Sequence, residues 1–162
     1  MAREPERTAD GRFLIIDGRR GRARDPDNPD ALRAQLVEEL MAARRAVSSD
    51  PQSARPRVQD AKLALGERGE PWWQPTEAGR RTRLAATMRT LLRHRTATAT
   101  ICPSDAARVV GGPRWRELMD SARAVAAELA RDGILVITSK GQPLPPDQLR
   151  GPVRLGRGPG WR

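Results

Sequence analysis

The sequence predicts a mainly α protein with small β elements, an α+β fold, and three observations carry that prediction. Apolar residues recur at helical spacing in several separate segments. Extended signals are short and sit beside Gly-bearing turns, as at Phe13–Ile16 and Ile134–Thr138. Composition supplies the third. Of 162 residues, 38% are apolar and 31% charged, and the only aromatics are Phe13, Trp72, Trp73, Trp115 and Trp161. The core of a large α/β enzyme would have to be built from Leu, Val, Ile and Ala alone, which argues against that class.

The polar, charged residues 1–10 predict a disordered N-terminus. Arg12 to Arg22 then reads as a hairpin, because Asp17-Gly18 supplies the positive-φ residues of a tight turn. Its second arm is mostly Arg and Gly, so an exposed ribbon is expected. Asn28 is placed as an N-cap with Pro29 in the first helical turn. Leu32, Leu36, Val37, Leu40, Met41 and Val47 follow on one helical face. Ser48 to Pro51 breaks that helix, and a second runs from about Arg57 to Arg68 with Val58, Ala61 and Leu65 inward. Together they form an antiparallel helical hairpin. Gly69 to Pro75, containing Trp72-Trp73, is the boundary between 11–75 (ribbon plus helical hairpin) and 76–156 (a second, basic domain).

Beyond the boundary, Thr76 is a candidate N-cap for a helix to about Arg95, with Leu84, Met88, Leu91 and Leu92 buried. Thr96 to Ile101 should be extended. Ser104 caps a short helix from Asp105 to Val110, and Gly111-Gly112-Pro113 ends it and starts the next. Trp115, Leu118, Met119, Ala122, Val125, Ala126 and Leu129 step by threes and fours, and Asp132-Gly133 stops that helix. Ile134–Thr138 is a strand, Lys140-Gly141 a turn and Val153–Leu155 a return strand, with Pro143, Pro145 and Pro146 preventing a clean ladder between them. Residues 157–162 form a basic tail. This order (helix, extended piece, helix, Gly turn, helix, strand, turn, strand) is that of a winged helix, in which a helix-turn-helix precedes a β-hairpin wing.

Charge is distributed unevenly. Net charge is +10. Residues 1–80 hold 15 basic and 14 acidic side chains, whereas residues 81–162 hold 15 and 6. That asymmetry points to a polyanion partner. Heavy use of Arg over Lys has a second source in GC-rich genome composition, which leaves the excess of acids in the first half unexplained. The longest uncharged apolar runs are four residues, against about 20 for a membrane helix. No apolar leader precedes the first charges, and the single cysteine suits a reducing compartment, so a cytoplasmic protein without a membrane partner is expected.

Catalytic chemistry finds little support. Cys102 and His94 are the only thiol and imidazole, and a nucleophilic pair would need them within hydrogen-bond reach. Cys102 reads better as a small buried hydrophobe. No CxxC, HxxxH, P-loop or GxGxxG pattern occurs, so no catalytic residue, metal or cofactor is assigned. Nucleic acid, DNA or RNA, is the expected partner. The helix expected to read bases, Pro113–Asp132, has no net charge. Backbone contact is therefore expected through Arg81, Arg83, Arg89 and Arg93 on the first helix of the basic domain and through Lys140 and Arg154 on the wing. Arg116 and Arg123, two turns apart on one face, are the candidates for base contact. The alternative is a protein-interaction module, in which the helical hairpin and Trp72-Trp73 hold a protein partner. A packing role for that tryptophan pair is the competing reading.

Several segments together resemble a known family. Ile101 to Arg108, Gly112 to Met119, Ala122-Arg123-Ala124, Gly133, Lys140-Gly141 and Arg150 to Leu155 are similar to bacterial domain of unknown function 3253, over roughly residues 78–155. Asp10 to Phe13, Glu38 to Arg45 and Pro71-Trp72-Trp73 resemble a region preceding it in actinobacterial proteins, some labelled Tol-type biopolymer transporters. The lack of a membrane segment argues against that label, and relatives carry an aromatic where this chain has Gly21. The resemblance implies a helical, winged-helix-like fold and supplies no activity and no site residues.

Overall fold

The computed structural model describes residues 3–162. Its elements are β1 (Glu6–Arg7), β2 (Phe13–Ile16), β3 (Arg19–Arg22), α1 (Asp30–Ala46), α2 (Pro51–Leu65), α3 (Glu77–His94), α4 (Pro103–Gly111), a 3-10 segment (Gly112–Leu118), α5 (Met119–Arg131), β4 (Leu135–Ser139), β5 (Gln142–Pro143) and β6 (Arg154–Arg157). Two three-stranded antiparallel sheets, ordered β1-β2-β3 and β5-β4-β6, accompany the helices, so the architecture is α+β. No helix among the described residues is long and apolar enough to cross a membrane.

The ribbon forms where Asp17-Gly18 directs it, with φ of 50° and 74° at the two turn residues. The residues before it are not wholly without structure, as was expected for 1–10; Met1 and Ala2 lie outside the described residues. Thr8 and Asp10 fold the chain back. The Asp10 carboxylate accepts the Thr8 hydroxyl and the Arg12 N–H, while the Phe13 N–H donates to the Thr8 Oγ. That local side-chain turn sets Glu6 opposite Ile15 and Arg7 opposite Leu14.

Helix boundaries differ from expectation where prolines and polar side chains have tertiary work. Asn28 does not cap α1. It is buried, its amide donates to the Leu65 carbonyl at 3.3 Å, and α1 starts at Asp30 with no side-chain cap. The second helix begins six residues before Arg57, at Pro51, because Asp50 caps it by accepting the Ser53 N–H. Pro56 lies inside α2 but on its exposed side, so the carbonyl it leaves unpaired can meet water. Gly66, with φ of 85°, ends α2 in the left-handed conformation.

Thr76 caps α3 as its sequence predicts, accepting the Gly79 N–H at 3.1 Å. Thr96 to Thr100 is a turn, and only Ile101 is extended, in a bridge to Leu155. α4 starts at Pro103, two residues before its expected start. Asp105 reaches back to accept the Cys102 N–H at 2.9 Å, and Pro103 takes the first helical position. The long periodic stretch after Gly112 is not one helix. Gly112 to Leu118 winds as 3-10, with Arg114 off helical geometry at φ −97°, ψ 19°, before α5 proper begins. Lys140 and Gly141, both at positive φ, turn β4 directly into β5, so Gln142–Pro143 pairs despite the prolines that follow. β6 runs on to Arg157. The terminal residues continue along β4, where the Gly158 N–H donates to the Ile134 carbonyl at 2.8 Å and Trp161 packs against the core.

The core is continuous across residue 76. Leu36, Leu40 and Leu65 of the first half belong to the same buried cluster as Leu84, Met88, Leu91, Val125, Ile137 and Leu155 of the second. α3 is the element they share, buried through Leu84, Met88, Leu91 and Leu92.

Candidate nucleic-acid interface

α3 carries four of the basic residues expected to meet phosphate, and all four are engaged within the molecule. Arg83 is the most enclosed, with 11% of its side chain exposed. It donates to Asp25 at 2.9 Å, to the Asn28 side-chain oxygen at 3.0 Å, and to the carbonyls of Ala64 and Val109. Burial pushes Arg83 below the usual arginine range, and the adjacent Asp25 carboxylate opposes that push. Arg89 makes a two-point contact with Asp60, 2.9 Å on each arm, and Arg93 meets the same carboxylate. Arg81 pairs with Glu128 of α5. At the end of the helix, His94 meets Glu38 at 2.6 Å and Arg95 donates to the Gln35 oxygen.

These contacts offset part of the charge asymmetry. Asp25 and Asp60 come from the first half and pair with arginines of the basic helix of the second, and Glu38, also from the first half, meets His94. A carboxylate held 2.9 Å from a half-enclosed guanidinium occupies the fork a phosphate would need. The face of α3 turned toward α1 and α2 is a seam of matched charges.

Arg154 and Arg123 are also engaged, by neutral oxygens. Arg154 donates to the Thr100 hydroxyl and carbonyl, each at 2.9 Å, and Arg123 donates to the Gly151 carbonyl at 2.9 Å. A carbonyl partner leaves the positive charge uncancelled. Arg116 lies in the 3-10 segment and Arg123 in α5, so the two candidates for base contact belong to successive elements and not to one helix. Lys140 is exposed at the tip of the β4–β5 turn and makes no ion pair among the described residues.

Trp72 and Trp73 are half-buried. The Trp72 indole N–H donates to the Ala23 carbonyl at 3.0 Å, its ring meets Trp73 edge-on at 5.0 Å, and Trp73 meets Phe13 edge-on at 5.5 Å. The pair fastens the ribbon to the loop after α2. A cleft of about 300 Å³ beside Trp72 also reaches Arg80, Glu70 and Glu117, with both charge signs in its walls. Cys102 is half-exposed and His94 pairs with Glu38. Among the described residues no three His, Cys, Asp or Glu side chains gather as a metal site.

The turn between α4 and α5 holds the arrangement that sequence reasoning missed. Arg108, in the last turn of α4, sets its guanidinium 4.6 Å from the centre of the Trp115 ring, and Arg116 lies 4.5 Å from it. Trp115 is half-buried against the core, and both arginines are exposed. Neither forms an ion pair among the described residues. Stacking on an indole orders a guanidinium without cancelling its charge. The neighbouring Arg114 is paired with Glu117. The seven-residue interval between Arg108 and Trp115, across a Gly-Gly-Pro turn, was the available signal.

No curated protein matches the chain. Residues 81–158, from the second turn of α3 to just past β6, match the family described as "Protein of unknown function (DUF3253)".

Proposed function

We propose that the chain is a nucleic-acid-binding accessory protein whose basic second half is a winged-helix-like domain contacting the phosphate backbone. The element order supports this reading. α3, the Ile101 bridge, α4, the turn into α5, and the β4–β6 ladder follow one another as in a helix-turn-helix with a wing. The single observation that carries it is the Arg108–Trp115–Arg116 stack. It lies just before α5, where the second helix of such a motif brings its N-terminal residues to the duplex, and it offers two ordered, unpaired positive charges. Lys140 at the β4–β5 turn adds a third on the wing. Compared with the sequence expectation, the contact moves from α3 to the turn.

Phosphate contacts release counterions, so binding must weaken steeply with salt. The test is a titration of the chain with duplex DNA and duplex RNA at two salt concentrations, repeated with R108A/R116A. The expected result is salt-dependent binding whose log–log slope falls by about 2 in the double variant, about 1 per lost phosphate contact. Absence of binding at low salt, or an unchanged slope in the variant, overturns the reading.

A further inference from the structure

We propose that the open edge of the N-terminal ribbon receives an acidic, extended polypeptide segment of a partner protein as a fourth strand at β3.

The ladder leaves one side unused. β1 covers one side of β2 and β3 covers the other, and no strand among the described residues pairs with the far side of β3. Parity identifies the free groups. The Ala23 N–H donates to the Arg12 carbonyl, so Gly21 and Arg19, two and four residues earlier, also turn their backbone groups toward β2. Arg20 and Arg22 therefore present their N–H and C=O outward. Nothing lies within 4 Å of where a Gly21 Cβ would be, which leaves that face of the strand open.

The side chains define the partner's charge. Arg19 and Arg20 are exposed, and none of the ion pairs among the described residues includes Arg19, Arg20 or Arg22. Two of the three are held in place. Arg20 lies 4.3 Å over the Phe13 ring, while Arg22 donates to the Gly69 carbonyl at 2.8 Å and stands 5.8 Å over Trp73.

A second copy of the chain is the wrong occupant. β3 against β3 would set Arg19 to Arg22 beside the same arginines, and like charges across a ladder are destabilising. The same arginines guard the edge against self-association. A nucleic-acid strand fits poorly as well, because phosphates accept hydrogen bonds but cannot donate to the outward carbonyls of Arg20 and Arg22. An acidic peptide backbone satisfies donors, acceptors and charge together.

The test uses the full chain, labelled with ¹⁵N, and the acetylated peptide Thr-Glu-Val-Glu-Val-Glu-Thr. The amides of Arg20 and Arg22 are expected to shift and to gain protection from exchange. A peptide with the same three glutamates but proline at the valines, which cannot donate to the edge, should bind at least tenfold more weakly. R19E/R20E/R22E should weaken the first peptide at least tenfold. No shift at millimolar peptide, or equal binding of the proline peptide to the unsubstituted chain, overturns the proposal. So does a DNA duplex that moves the same amides at lower concentration.

Discussion

The arginines of α3 and those of the α4–α5 turn differ in what stands opposite them. On α3, Arg83, Arg89 and Arg93 face Asp25 and Asp60, each carboxylate largely buried. At the turn, Arg108 and Arg116 face the flat ring of Trp115. A carboxylate cancels charge and fixes the fold; an indole fixes the side chain and leaves the charge available. Counting arginines along a sequence treats the two sets alike. Their partners give them opposite jobs, one in stability and the other in binding.

Substitutions separate the two sets. Arg83→Met should have the largest effect, lowering unfolding free energy by about 4 kcal/mol, because it leaves Asp25 buried without its cation. Urea denaturation measures this directly, and a loss comparable to that of an ordinary surface change would break the comparison. Asp60→Ala comes next, at about 3 kcal/mol, since two guanidiniums lose one shared carboxylate. It should also raise affinity for duplex DNA at low salt, because Arg89 and Arg93 lose the carboxylate that cancels their charge; unchanged affinity would show that the carboxylate is not what keeps them from binding.

Acidification tests the caps at lower amplitude. The Thr76 hydroxyl and N–H hold the Glu70 carboxyl below the usual carboxylate range, and the Ser53 hydroxyl and N–H do the same for Asp50. A depressed carboxylate stabilises the fold above its unfolded pKa, and that contribution disappears as pH falls through the folded value. The thermal midpoint should therefore drop below the ordinary carboxylate pKa, with a shallower drop in Glu70→Gln. The smallest stability change belongs to R108A/R116A, within about 0.5 kcal/mol of the parent, as for exposed side chains generally. A large destabilisation there would return the turn arginines to the structural class.

What the sequence made legible follows from range. Thr76, Asp17-Gly18 and the leucine stripes of α1 and α3 act within one or two turns, and the expected elements are present at those places, whereas the second helix, expected to run to Arg68, stops at Gly66. Asn28 was misread because its amide answers Leu65 and Arg83, partners 37 and 55 residues away that no local pattern reveals. The 3-10 segment was hidden because Trp115, Leu118 and Ala122 keep a helical rhythm while the backbone between them tightens. The pairing of Asp60 with Arg89 joins residues 29 apart on two helices. Only the packing of α2 on α3 brings them together, so the charge map overstated the positive surface.

The stack at the α4–α5 turn also gives the molecule an optical handle. The chain has four tryptophans and no tyrosine, so its near-ultraviolet emission is indole emission. Trp72 and Trp73 lean on each other, and Trp161 lies beside Arg93 and Arg157. Any anion that draws Arg108 and Arg116 off their ring changes the surroundings of Trp115. With Trp115→Phe as the blank, occupancy of the turn can be followed by fluorescence on the unlabelled protein, in the same cuvette in which salt is varied.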